Sequence, residues 1–317
     1  MRFSIEHSQT GPWQRLYLTD TQTGNRAEII PAAGGILNAW TINHPSGPVQ
    51  LIDGFSDETQ WRDTVEKGFQ GSKLSPFVCR VAQAAYAWEG RSYQIEKFHL
   101  NGAAIHGLIY DAPFEVIEKI VQNQFAELEL KYSYGGTDPG YPFAYDCFVR
   151  YRLEPDNTLQ VTTAIHNRSR HTIPLADGWH PYFGFGKPID SLQLCFQARA
   201  ELEYDEALIP TGRSLPTDRF SQPRYLKDIS LDNGFELDFS SPQPLCTLTD
   251  PERGIQVAFF PDRSYPYLQL YTPPHRRSIA IENLSAAPDA FNNRIGLVSL
   301  EPDHTKTFSV RYQFREV

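Results

Sequence analysis

Alternation with a period of two runs through most of this chain, and it restricts the possible folds more than any other feature. Leu128, Leu130, Tyr132 and Tyr134 alternate with Glu127, Glu129, Lys131 and Ser133. Tyr145, Cys147, Val149, Tyr151 and Leu153 alternate with Asp146, Phe148, Arg150 and Arg152. Leu159, Val161, Thr163 and Ile165 follow, and Phe308, Val310, Tyr312 and Phe314 repeat the pattern near the C-terminus. A strand sends successive side chains to opposite faces, so each run carries one buried and one polar face, as in antiparallel sheets. The turn-rich Glu154-Pro-Asp-Asn157 between two of these runs predicts a hairpin loop. Helical periodicity is scarce: Ser56 to Lys67 predicts one short helix, with Ser56 as its cap. The 24 prolines and 21 glycines break the rest into many short strands. With no internal repeat, low-complexity stretch or linker, the expectation is an all-β protein: one large antiparallel β-sandwich domain over residues 1–317.

Composition narrows the function classes. Hydrophobic residues make up 40% of the 317, enough for a sizeable core, and all-β sandwiches commonly exceed 200 residues. A net charge of −9 argues against nucleic acid or an anionic membrane surface as the main partner. Cys79, Cys147, Cys195 and Cys246 are far apart, with no C-x-x-C pair, which suits free buried thiols in a reducing compartment. Met1-Arg-Phe-Ser-Ile-Glu-His-Ser lacks a signal-peptide core, and no apolar run is long enough to span a bilayer. The expected location is cytoplasmic.

Two segments stand out chemically. Asp177-Gly-Trp-His-Pro-Tyr-Phe183 and Ile279-Ala-Ile-Glu-Asn-Leu284 are apolar, strand-like runs that present His180 and Glu282. An imidazole and a carboxylate held by a rigid sheet form a natural acid and base pair. Trp179, Tyr182 and Phe183 are the kind of aromatic neighbours on which the C–H faces of a sugar pack, so the pair suggests acid/base chemistry on a carbohydrate. Each residue also has a plainer reading: His180 as a core histidine, Glu282 as a solvated surface group. His106 is followed by Gly107, which permits close approach of a ligand. Arg80 ends an apolar run and is either a surface terminus or a clamp on hydroxyls. Asp232, in Leu231-Asp-Asn-Gly-Phe235, reads most simply as a turn residue. His166 and His171 flank a turn and read as surface residues. The chain has no G-x-G-x-x-G, P-loop, H-E-x-x-H or G-x-S-x-G, and no histidine or cysteine spacing that asks for a metal.

The order of several motifs resembles the aldose 1-epimerase (galactose mutarotase) family over most of the chain. They are Phe77 to Arg80, Trp88-Glu-Gly-Arg-Ser-Tyr-Gln-Ile95, Ile105-His-Gly107, Gly140-Tyr-Pro142 and Asn167-Arg-Ser169. His180-Pro-Tyr-Phe183, Leu231-Asp-Asn-Gly-Phe235, Tyr265 to Pro273, and Glu282 with Ala290-Phe-Asn292 complete the set. The resemblance implies a twisted antiparallel supersandwich with a sugar cleft on its concave face. It implies Glu282 as general base, His180 as general acid, and His106, Arg80 and Asp232 as contacts to the ring oxygen and hydroxyls. It implies a small-molecule sugar as partner, neither nucleic acid nor membrane, no cofactor or metal, and a monomer or homodimer.

The sequence departs from the family pattern where Gln83 and Ala84 replace an Asn-Arg pair, and where Leu108 and Phe114 replace a glycine and a tryptophan. These changes leave the identity of the aldose open. A hexose 6-phosphate would call for basic residues at the cleft, with Lys73, Arg80 and Arg91 as candidates. A non-catalytic sugar-binding or regulatory protein is a further alternative, as is a lyase or hydrolase pairing Glu282 with Asp177 or Asp232.

Overall fold

The computed structural model describes residues 1–317, the side chain of Thr10 aside. A nine-stranded antiparallel sheet runs in the order Glu115–Val121, Ala126–Tyr134, Tyr145–Glu154, Thr158–Asn167, Thr305–Glu316, Ile255–Pro261, Cys246–Asp250, Gln193–Phe196 and Arg224–Tyr225. An eight-stranded sheet contains Ala198–Tyr204, Asp232–Leu237, Tyr267–Tyr271, Ile279–Leu284, Gly178–Trp179 and Lys73–Leu74, with Tyr182–Phe183 also paired to Ile279–Leu284. The N-terminal strands, from Phe3–Thr10 to Gly47–Gln50, form a five-stranded meander.

The alternating runs become the nine-stranded sheet. Tyr145, Cys147, Val149, Tyr151 and Leu153 are buried, and Arg150 and Arg152 face outward. On that outer face Glu127 lies opposite Arg152 and Glu129 opposite Arg150, with ion-pair distances of 2.5 and 3.0 Å. Opposite charges placed directly across strands help hold the register. Glu154 to Asn157 forms the predicted hairpin between Tyr145–Glu154 and Thr158–Asn167. The sheets share one hydrophobic core. Phe183, from the eight-stranded sheet, meets Phe259 and Tyr312 of the nine-stranded sheet at ring distances of 4.8 and 5.3 Å. Burying a side chain of that size stabilises the fold by about 1.5–3 kcal/mol.

The helix forms over Glu58–Gly68, with Asp57 rather than Ser56 as its cap. Asp57 accepts the Gln60 N–H at 2.9 Å, while the Gln60 side chain reaches back to the Ser56 N–H at 2.7 Å. The cap falls one residue later than expected because the Asp57 carboxylate reaches the N–H three residues on, the spacing of an N-cap, while Ser56 meets Gln60 only through its backbone N–H. The helix closes on Phe69 in the left-handed region (φ 51°). That exit turns the Phe69 ring onto His106, 4.5 Å away.

The four cysteines are free; Cys79, Cys147 and Cys246 are buried and Cys195 is half-buried. Among the described residues no helix is long and apolar enough to cross a membrane.

Candidate functional site

The strand Ile279–Leu284 is buried along its whole length, which a one-sided sheet would not produce. Ile279 and Ile281 join the core. Glu282 points the other way, into a cleft, and is only 1% exposed. The solvated reading of Glu282 is thereby excluded.

His180 is brought to the same cleft by two backbone ties. Its N–H donates to the Ser72 carbonyl at 3.0 Å, and its carbonyl accepts from Gly71 at 2.9 Å. Gly178, two residues earlier, pairs with both Leu284 and Leu74; a Cβ there would fall 2.4 Å from the Leu284 side chain. His180 Nε2 lies 3.4 Å from Glu282 Oε1. Neither Glu282 Oε2 nor His180 Nδ1 has a hydrogen-bond partner among the described residues.

Arg80, His106, His180, Asp232 and Glu282 line one cavity of about 180 Å³. All five residues singled out from sequence are therefore brought together. His106 stands at φ 60°, its N–H held by the Cys79 carbonyl at 2.8 Å, and its ring meets that of His180 edge-on at 4.9 Å. Gly107 serves a different purpose from the expected one. A Cβ there would sit 2.4 Å from the Ser75 carbonyl oxygen, so the glycine admits neighbouring backbone rather than a ligand.

Asp232 is not a turn residue. It opens the strand Asp232–Leu237 and pairs with Tyr271. The turn-like glycine two places on, Gly234, is a strand residue because the Tyr204 hydroxyl occupies its Cβ position, at 2.0 Å. The same hydroxyl donates to Gln269 Oε1 at 2.9 Å, and Gln269 Nε2 donates to Asp232 at 2.9 Å. Gln269 also lies directly across from Glu282. This Tyr204–Gln269–Asp232 chain was not anticipated. The available signal was Gln269 itself, a lone amide between Leu268 and Leu270.

The expected aromatic platform is only partly present. Tyr182 lines the cleft, stacked on His180 at 5.1 Å, but Trp179 packs on Tyr151 and Phe183 on Phe259, both in the core. Phe69, Tyr204 and Tyr271 supply the other aromatic walls.

Electrostatics in the cleft are governed by burial, which disfavours charge. Burial pushes the Glu282 carboxyl well above the usual range, and the nearby Asp232 adds to the effect. Burial lowers His180 to about 4. It also lowers His106 strongly, helped by the fields of His180 and Arg80. Asp232 is raised by burial, against the opposing pull of Arg80 and of its Gln269 hydrogen bond. Burial thus works in one direction on both members of the pair, favouring the protonated carboxyl of Glu282 and the neutral imidazole of His180.

The remaining candidates fall outside the cleft. Lys73 is completely buried, 2.6 Å from Asp177 Oδ2, and Asp177 also accepts the Tyr265 hydroxyl at 2.7 Å. Neither residue is available to a substrate, which removes Lys73 as a phosphate ligand and Asp177 as a partner carboxylate for Glu282. Arg91 is exposed on the hairpin of Ala85–Trp88 and Arg91–Gln94. Gln83 is exposed, whereas Leu108 and Phe114 belong to the core. His171 is exposed and His166 half-buried. Among the described residues no cluster of three metal-ligating side chains is found.

The profile of the family described as "Aldose 1-epimerase" matches residues 15–313. Among curated proteins, the uncharacterized protein YihR of Escherichia coli is 27% identical over 238 residues, 73% of this chain and 74% of that one. The maltose epimerase of Levilactobacillus brevis is 25% identical over 210 residues, 58% of this chain and 59% of that one. A galactose mutarotase-like protein from Clostridium acetobutylicum shares the fold with a TM-score of 0.88 at 17% identity, covering 100% of this chain and 99% of that one. A galactose 1-epimerase from Lactobacillus acidophilus does so with a TM-score of 0.83, also at 17% identity and with coverage of 100% and 99%.

Proposed function

Because the chain belongs to the aldose 1-epimerase family, we propose that it interconverts the α and β anomers of a free aldose, with Glu282 and His180 as the proton-transfer pair. One observation carries this reading: a buried carboxylate and imidazole face each other at 3.4 Å at the base of a small polar cleft, with Glu282 Oε2 and His180 Nδ1 left without partners among the described residues. Ring opening requires one proton to leave the anomeric O1 hydroxyl and one to reach the ring oxygen O5. Glu282 takes the first and His180 supplies the second, and the C1–O5 bond breaks to give the aldehyde. Rotation about C1–C2 then presents the other carbonyl face. On closure His180 removes the O5 proton as O5 attacks C1, and Glu282 returns a proton to O1.

Each half-reaction leaves the pair with one proton, moved from one group to the other. The state after opening, with Glu282 protonated and His180 neutral, lies in the direction in which burial pushes both groups. A cyclic sugar must therefore draw the proton across to His180 as it binds. Hydroxyl hydrogen bonds to the Glu282 carboxylate favour its charged form and act in that direction. His106, Arg80 and Asp232 are placed to meet the remaining hydroxyls. A free sugar fits better than a phosphorylated one, since Lys73 is buried against Asp177 and Arg91 stands on a separate hairpin, which leaves Arg80 as the one expected phosphate ligand that lines the cavity.

The test is polarimetry or NMR exchange on freshly dissolved α-glucose, α-galactose and glucose 6-phosphate, with wild type and Glu282→Gln. Acceleration that disappears in the variant supports the reading and ranks the sugars. Tight sugar binding without any acceleration would instead indicate a binding protein. The one-proton requirement predicts a bell-shaped pH profile whose acid limb lies near pH 4, where His180 gains a second proton for the pair. Its alkaline limb lies well above the ordinary carboxylate range, where Glu282 loses the last one.

A further inference from the structure

Ala290-Phe-Asn292 is among the motifs singled out in the sequence, and proton transfer between Glu282 and His180 gives it no task. In the structure the turn that contains it straps the loop carrying Arg80. Asp289 lies shortly after the strand of Glu282, Ile279–Leu284, and is 6% exposed. Its N–H donates to the Arg80 carbonyl at 2.6 Å, and its Oδ1 accepts the Ala82 N–H at 2.9 Å. The two bonds span Val81 as a neighbouring strand would, while the other edge of the short strand Arg80–Val81 pairs with Ala104 and Ile105. Asn292 Nδ2 adds two ties, to Asp289 Oδ1 at 2.7 Å and to the Ala85 carbonyl at 2.9 Å. The Asp289 carbonyl accepts the N–H groups of Asn292 and Asn293, both at 2.9 Å, so the strap is itself a closed turn.

The loop needs such support. Cys79, Gln83 and Ala84, on either side of Arg80, stand at φ 48°, 54° and 54°. Non-glycine residues persist in that left-handed region only where their surroundings over-determine them, and such positions cluster at ligand clamps. Gln83 is exposed and Ala84 fully buried, and neither lines the cleft, so Arg80 is the loop's one charged group there. Its guanidinium is near enough to Asp232 to pull that carboxyl down, yet has no hydrogen-bond or ion-pair partner among the described residues. The backbone therefore sets where it can reach. Burial raises the Asp289 carboxyl against the pull of the Ala82 and Asn292 bonds, and no cation pairs with it among the described residues. The loop thus uses an acceptor oxygen rather than a charge. We propose that Asp289 is a positioning residue: it fixes the backbone from which Arg80 reaches a sugar hydroxyl and ties that reach to the strand of Glu282. The proposal rests on the anomer-exchange reading above. A hydroxyl remote from the breaking C1–O5 bond is held alike before and during ring opening, so loosening Arg80 acts on KM and spares kcat.

The experiment measures kcat and KM for anomer exchange by NMR, on whichever of glucose and galactose the wild type exchanges faster. The variants are Asp289→Ala, Asp289→Asn, Arg80→Met, and Arg80→Met combined with Asp289→Ala. Asp289→Ala should raise KM by about tenfold, the worth of one charge-assisted hydrogen bond, with kcat within about threefold of wild type. Asp289→Asn keeps the acceptor oxygen, and its KM should stay within about twofold of wild type. In the Arg80→Met background Asp289→Ala should change KM by less than about twofold, because its effect passes through the missing guanidinium. A full tenfold rise in that background, a fall in kcat at unchanged KM, or no rescue by asparagine would overturn the proposal. Should Asp289→Ala fail to fold, Asn292→Ala takes its place, since Asn292 is exposed. Its KM should rise by about two- to threefold, and Arg80→Met should again abolish the effect; an unchanged KM would count against the strap. If no sugar exchanges at all, the anomer-exchange reading fails separately, and the same variants are compared by Kd from NMR titration. A loss of affinity in Asp289→Ala that asparagine restores would uphold the positioning role. Equal affinity in every variant, or no sugar binding in wild type, would sink it.

Discussion

Asp177 and Glu282 are both carboxylates removed from water, carried by neighbouring segments of one sheet, and their surroundings differ in almost every other respect. Asp177 has the Lys73 ammonium at 2.6 Å and the Tyr265 hydroxyl at 2.7 Å, and its backbone is bonded on both sides to Ser285. The Lys73 contact with Oδ2 is ionic rather than a well-aligned hydrogen bond, and the ammonium is anchored instead on the Gly178 carbonyl at 3.0 Å. It also lies 4.7 Å from the Trp179 ring. Glu282 has the His180 imidazole at 3.4 Å and one oxygen with no partner among the described residues. The first arrangement fixes a junction: Lys73 and Asp177 clamp the two segments whose backbones hold His180. The second leaves capacity unused, as expected of a group that is to meet something else. Burial alone therefore does not separate a structural carboxylate from a working one, whereas unpaired hydrogen-bonding capacity does.

The strongest challenge to this contrast is to neutralise each carboxylate's chemistry in turn. Glu282→Gln keeps shape and removes the proton acceptor, so anomer exchange should fall by about 10²–10⁴-fold. Its thermal midpoint should be unchanged or raised, because a buried ionisable group has gone. Lys73→Met should do the reverse damage, destabilising the fold by about 3–5 kcal/mol in urea titration by leaving Asp177 buried without its cation. Lys73→Met combined with Asp177→Asn should recover much of that loss, since asparagine is neutral and still accepts from Tyr265. A Glu282→Gln protein as unstable as Lys73→Met would abolish the distinction.

How far the sequence reveals this contrast depends on which neighbours are local. The alternating runs of the nine-stranded sheet were fully legible, because one face meets water and the other the core. Ile279–Leu284 was not, since a strand covered on both faces loses its polar rhythm and Glu282 looks like a surface residue. Asp232-Asn-Gly234 misleads for a related reason. Its glycine accommodates Tyr204, a residue 30 positions away in the chain whose position no local pattern specifies. Trp179 and Phe183 look like cleft residues because they flank His180, yet the brief strands around Pro181 turn them into the core. The five cleft residues were recognisable through motif order, while Gln269, whose function is to connect two of the cleft's side chains, was not.

A pH titration of stability sharpens the comparison from the imidazole side. His180 is held at about 4, below its ordinary 6.5, so the folded protein stays unprotonated where the unfolded chain already binds a proton. Its contribution is fully present above pH 6.5 and is lost as pH falls toward 4; His106, also depressed by burial, acts with the same sign. A shift of this size corresponds to about 3 kcal/mol. His180→Gln should flatten the decline in unfolding free energy between pH 6.5 and 4 by about that amount, read from urea titrations at several pH values. An unchanged acid slope would mean that His180 is not the buried neutral group described.

The smallest predicted effect concerns the link between the two kinds of site. Gln269 is buried like a core residue, faces Glu282 across the strand pair, and joins Tyr204 to Asp232 through two hydrogen bonds of 2.9 Å. Gln269→Met preserves length and apolar contact but deprives the Tyr204 hydroxyl of its acceptor and Asp232 of a donor. The expected loss of stability is about 1–3 kcal/mol, the cost of buried polar groups left unpaired. Activity should respond selectively: without the amide to orient Asp232, KM for the sugar should rise while kcat stays within about threefold. Because the amide also pulls the Asp232 carboxyl down, its removal should push that group further up. Sugar affinity should then weaken most at low pH, where Asp232 is protonated. If kcat fell with KM unchanged, Gln269 would belong to the proton-transfer machinery of Glu282 rather than to the support of Asp232.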